Sequence, residues 1–196
     1  MRAVVDVSMR ALGGAALAAA SALAGLAPHA GAQPPPAFPN LDTFTAVPAE
    51  GYLVTGQQTA PRIGFTVPST ASSAIVCDFY GGPSPAPQPS ADLKCRGDIP
   101  GLDDVPVPGG RARPGDCLVG AVDYKGPGYQ LSRMSEGGCD GSAATPQTGA
   151  KALGAGQKVS YLSVTCAVGA DSLVACLDTT SGDHGFVLQR SGSWAF

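Results

Sequence analysis

Histidine, aromatic rings and charge are all scarce in this sequence, and each scarcity closes off a class of chemistry. The 196 residues include two histidines, His29 and His184, one tryptophan, and only 14% charged side chains. Histidine is the usual proton carrier near neutral pH, so acid–base catalysis has little to draw on. No cluster of Lys and Arg is present, and no nucleic-acid partner is expected. There is no Gly-x-Ser-x-Gly elbow, no close Cys-x-x-Cys or His-x-x-x-His pair and no EF-hand spacing. Neither a metal nor a cofactor is expected. Long helices are also hard to place. With 27 Gly and 18 Pro, few stretches run ten residues without one of them, and both break a helical ladder.

The N-terminus carries an export signal pattern. ALGGAALAAASALAGLA, residues 11–27, is an apolar run that ends before Pro28. Ala30-Gly31-Ala32 is a small-x-small cleavage site, so residues 1–32 read as a signal peptide and the mature chain begins at Gln33. Asp6 is out of place in a positive leading segment and favours Met9 as the start. No second segment is apolar enough to span a bilayer. Without Arg2, Arg10 and Asp6 the chain keeps ten Lys/Arg and fourteen Asp/Glu, a net charge of −4 spread along its length. That balance favours solubility and marks no particular ligand. QPPPAFP, residues 33–39, opens a Pro-rich leader over 33–45 that is expected to act as an extended spacer. Its PPxxP outline matches an SH3 ligand only weakly. A single domain is expected over 46–196.

All six cysteines fall in the exported part: Cys77, Cys95, Cys117, Cys139, Cys166 and Cys176. An even count beyond an export signal reads as three disulfides. The clearest strand pair is VSYLSVTCAVGADSLVACLDTT. On its first arm Leu162, Val164, Cys166 and Val168 alternate with Val159, Tyr161, Ser163 and Thr165, the pattern of one half-buried strand. Gly169-Ala170-Asp171-Ser172 supplies a turn that sets Cys166 against Cys176. An earlier segment repeats the plan. Ser73–Phe79, carrying Cys77, and Asp92–Cys95 flank the Pro-rich tip GGPSPAPQPSA. Between the two, Lys125-Gly126-Pro127-Gly128 makes a turn with Tyr124 and Tyr129 facing each other over it. Sequential pairing needs only local hairpins: Cys77–Cys95, Cys117–Cys139 and Cys166–Cys176. Each bridge contributes about 3 kcal/mol, against a net stability of about 5–15 kcal/mol for an ordinary domain. The expected fold is mainly β, a small disulfide-braced antiparallel sandwich or open barrel of about seven to nine short strands.

The order of the six cysteines, followed by His184-Gly185-Phe186 and an aromatic end, resembles a domain of unknown function found in exported actinobacterial proteins of mycobacterial and nocardial type. The resemblance covers about residues 64–196. The chain departs from that pattern at Val67-Pro68-Ser69, which leads into Thr-Ala-Ser-Ser-Ala-Ile75 rather than Gly-Asn-Ile, and at Asp183, where the pattern has Gly. The resemblance implies export and a braced β fold, and brings no activity with it.

His184 is the one base candidate in the mature chain. Asp183 precedes it and Ser181 and Ser191 lie near, which outlines a Ser–His–Asp hydrolase. The simpler reading makes Ser181-Gly182-Asp183 a turn, lets Gly185 admit a close backbone, and sends Phe186-Val187-Leu188 into the sheet. Asp178 with Asp183, and Asp103 with Asp104, read as exposed turn carboxylates. Trp194 and Phe196 read as a plug finishing the core, with a sugar-stacking platform as the alternative. Pro85 and Pro87 in the Pro-rich tip, with Tyr124 and Tyr129 at the KGPG turn, are the expected contact residues. The function expected is that of a secreted or cell-envelope, non-catalytic monomer that binds an unknown protein or envelope component. A secreted hydrolase using His184 and a secreted protease inhibitor are the alternatives.

Overall fold

Strands rich in Val, Ile, Thr and Phe, cut short by Gly and Pro, give two β-sheets facing each other. The computed structural model describes residues 34–35, 37–54, 62–68, 74–81, 93–102, 105, 107, 116–138 and 149–196, all within the compact unit Gly31–Phe196. The strands are β1 (Thr45–Val47), β2 (Leu53–Val54), β3 (Arg62–Pro68), β4 (Ala74–Gly81), β5 (Lys94–Gly97), β6 (Asp116–Tyr124) and β7 (Tyr129–Gly138). They continue as β8 (Lys151–Ala152), β9 (Gln157–Tyr161), β10 (Val164–Val168), β11 (Val174–Asp178), β12 (His184–Leu188) and β13 (Trp194–Ala195). A six-stranded sheet runs β1-β9-β10-β11-β12-β13, and a seven-stranded sheet runs β2-β3-β4-β5-β6-β7 with β8 against β3. Pairing is antiparallel except for β1 on β9 and β8 on β3. The fold is the braced β architecture expected, without a closed barrel. It uses more strands than expected because several are only two or three residues long.

The inner faces of both sheets share one hydrophobic cluster. Phe65, Ile75 and Phe79 come from the seven-stranded sheet, and Val159, Val164, Phe186 and Leu188 from the six-stranded one. Two disulfides lie within it. Cys77 pairs with Cys95 directly across β4 and β5, and Cys166 with Cys176 directly across β10 and β11; all four residues are fully buried. Each pair has Cα atoms 4.1 Å apart, the close spacing of facing residues between ladder hydrogen bonds. Both bridges follow the sequential pairing, and the two Cys-bearing segments repeat one plan, once in each sheet. Of the third expected pair, Cys139 and the side chain of Cys117 lie outside the described residues, as do Pro85, Pro87, Asp103 and Asp104.

The first arm of the C-terminal hairpin differs from the single strand expected. β9 ends at Tyr161 and β10 starts at Val164, with Leu162 and Ser163 as the turn between them. Leu162 has φ 53° and is 59% exposed, so it does not join Val164 and Cys166 on the core face. The reversal changes the parity: Val159 faces Cys166 in the ladder, and both are buried in the core. Alternation continues unbroken through a two-residue turn when that turn lacks Gly, Asn and Pro, so period alone does not reveal it.

The leader also differs from a spacer. Asn40 caps a 3₁₀ turn over Leu41–Thr43, accepting from the Asp42 N–H at 2.9 Å, and Thr45 opens β1, so a boundary at 46 falls inside a strand. Upstream, the leader lies on the outer face of the six-stranded sheet. One cross-strand row there runs Lys158, Ala167, Ala175, Val187 and Trp194. Its two ends both touch the leader: Lys158 Nζ donates to the Leu41 carbonyl at 2.9 Å, and the Phe38 ring packs edge-on against Trp194 at 6.5 Å. Between them Ala167, Ala175 and Val187 are at most 1% exposed. Two alanines flatten the face and let the leader cross it. β10, β11 and β12 are therefore buried on both faces rather than half-buried.

Candidate functional site

Several of the candidate residues meet at one end of the sandwich. Tyr124 and Tyr129 are paired across β6 and β7, and their rings cross edge-on at 5.5 Å. The Lys125 N–H donates to the Gly128 carbonyl at 2.9 Å and closes the turn, in which the Gly126–Pro127 peptide is cis. Lys125, Gly126 and Pro127 are exposed. Gly128 lies beside the other sheet: a Cβ there would meet the Phe196 carbonyl oxygen at 3.4 Å and His184 Nδ1 at 3.8 Å, both ordinary contact distances. The KGPG turn, His184 and the C-terminal residue thus converge.

The two tyrosines have different roles. Tyr129 is 5% exposed, packs against Phe186 at 5.2 Å and donates its hydroxyl to Asp178 Oδ2 at 2.9 Å. Tyr124 is half-buried and is the ring with surface to offer. Asp178 is 1% exposed, and a buried carboxyl is tolerated only when its oxygens are satisfied. Its Oδ1 accepts from the Thr180 N–H at 2.9 Å and the Thr180 hydroxyl at 2.6 Å. Ser163 Oγ hydrogen-bonds Thr180 Oγ1 in turn. Sequence inspection treats Asp178 as an exposed turn residue. Its partner Tyr129 is 49 residues away, and no local pattern announces the pair.

His184 opens β12 opposite Asp178, on the inner side of the sheet, and is half-buried. Both Asp178 oxygens are engaged elsewhere. Among the described residues no Ser, Asp or Glu side chain hydrogen-bonds the imidazole. Asp183 and Ser181 sit in the turn before the strand and Ser191 in the one after it. Gly185 is required for close approach: a Cβ there would lie 2.3 Å from the Cys176 carbonyl oxygen and 3.0 Å from the Phe196 ring.

Trp194 and Phe196 stand on the outer face of the six-stranded sheet rather than in the core. With Phe38 they form a cluster, Phe38–Phe196 at 5.4 Å and Trp194–Phe196 at 5.5 Å. The Phe38 ring crosses the other two at 83° and 72°, so the three do not make one flat platform for a sugar ring. No helix among the described residues is long and apolar enough to cross a membrane. No family model, curated protein or solved structure matches the chain.

Proposed function

We propose that the protein is an exported, non-catalytic binding module, of the six-cysteine actinobacterial kind its sequence resembles. It acts as a monomer through contact of the Tyr124–Gly128 end with a protein or envelope component. The observation that carries this reading is the mounting of that end. Tyr124 leans on Tyr129, whose hydroxyl is anchored on the buried Asp178. A tip so held loses little conformational entropy on binding, which favours affinity. Two buried cross-strand disulfides fit an oxidising exterior.

The test is co-sedimentation of the oxidised mature protein with isolated cell-wall and membrane fractions, comparing the native chain with Tyr124→Ala and Lys125→Glu. The reading expects retention of the native chain, with each substitution weakening it about tenfold or more, as for an aromatic anchor. Retention unchanged by both substitutions, or a hydrolytic activity abolished by His184→Ala, overturns it.

A further inference from the structure

A proline- and phenylalanine-bearing segment seated on an aromatic surface is a recognised way for one chain to read another. Here the chain does this to itself. Leader residues between Pro34 and Asp42, Asn40 among them, form most of the wall of a cavity of about 490 Å³, and Leu177 of β11 is the sheet residue that completes it. Phe38 closes one side by packing on Trp194 and Phe196. Pro34, Pro35 and Pro39 bring no backbone donor, and the Phe38 N–H donates to the Pro35 carbonyl at 2.8 Å in a turn, so the leader lies on the sheet face with few N–H groups unpaired. The receiving face is built for it. Ala167 and Ala175 keep it low, Gly185 leaves room for the Phe196 ring, and Trp194 and Phe196 supply the aromatic wall.

We propose that this outer face, around Leu177, Trp194 and Phe196, is a docking site for peptides that present a phenylalanine on a proline turn, occupied in cis by the leader. It takes the same kind of segment from a partner when the leader is displaced. The inference rests on the reading of the protein as a binding module and gives that module a partner chemistry, at a site apart from the Tyr124 tip.

Trp194, the single tryptophan, reports on the site. The probe is a synthetic peptide of residues 34–42, added to the full mature chain as native protein, Phe38→Ala and the milder Phe38→Leu. Both substitutions should shift Trp194 emission to longer wavelength. The peptide should reverse that shift saturably. Half-saturation on the native chain should be at least about tenfold higher, because the tethered leader competes at an effective concentration near millimolar. Leu177→Asp in the Phe38→Leu background should abolish the response, and a peptide carrying Ala at the Phe38 position should give none. An unchanged Trp194 emission in both Phe38 variants overturns the proposal. So does a folded Phe38→Leu chain, judged by far-ultraviolet circular dichroism, that ignores the peptide. Tyr124-dependent sedimentation that persists in Leu177→Asp separates failure at this site from failure of the binding-module reading.

Discussion

Three single residues carry opposite kinds of local constraint. Gly185 has no room for even one more carbon, since the nearest atoms are the Cys176 carbonyl and the Phe196 ring. Gly185→Ala should cost about 1–3 kcal/mol, as other overpacked sites do, read as a lower urea midpoint at unchanged slope. Leu162 has the reverse problem. Its φ of 53° is uncomfortable for a side chain, while the side chain itself is mostly in solvent. Leu162→Gly should therefore raise stability by about 0.5–1 kcal/mol, the αL penalty relieved less the added freedom of the unfolded chain; a lowered melting temperature would count against it. Tyr52 is buried beneath the Lys151 ammonium, 5.2 Å from its ring centroid. Burial raises its phenol above the ordinary 10.0. Above that pH the unfolded chain has released a proton that the folded chain still holds, so stability present at lower pH is lost as pH rises. Tyr52→Phe should flatten the fall in urea midpoint above about pH 10.

At the scale of elements, the Tyr129–Asp178 hydrogen bond ties β7 of one sheet to β11 of the other. Tyr129→Phe should cost about 1.5–3 kcal/mol, the range for a bond to a buried carboxyl. A double-mutant cycle with Asp178→Ala should give a coupling of about 1–3 kcal/mol, measured by chemical denaturation; additive losses would dissolve the tie. The β10–β11 hairpin is legible in the sequence, because two β-branched arms, a Gly-Ala-Asp-Ser turn and two cysteines all imply the same register. The entry of Phe186-Val187-Leu188 into the sheet is legible too. The β9–β10 turn is not, since its strained position falls on a leucine. Of the candidate site, the Tyr124–Tyr129 facing pair is visible from the turn between them. The convergence of His184, Gly128 and Phe196 depends on sheet packing, which local spacing does not encode. The docking of the leader is hidden for a similar reason: a proline run has no period, and the alanines that receive it look like ordinary strand residues.

For the molecule as a whole, the two described disulfides act in separate sheets and should contribute nearly independently. Replacing Cys77, Cys95, Cys166 and Cys176 together by alanine should remove about 6 kcal/mol, from about 3 kcal/mol per bridge. That loss is comparable to the entire stability of many domains. Circular dichroism of the variant should show loss of the native β signal at or near physiological temperature, where the oxidised chain stays folded. Both of these bridges join neighbouring strands of one sheet. Tension applied to the ends of the chain would meet no covalent rung passing from one layer to the other through them. The short terminal strands β1 and β13 would peel first, while the stretches between Cys77 and Cys95 and between Cys166 and Cys176 would stay locked behind their bonds. A single-molecule pulling trace would therefore record a shorter extension for the oxidised chain than for the reduced one.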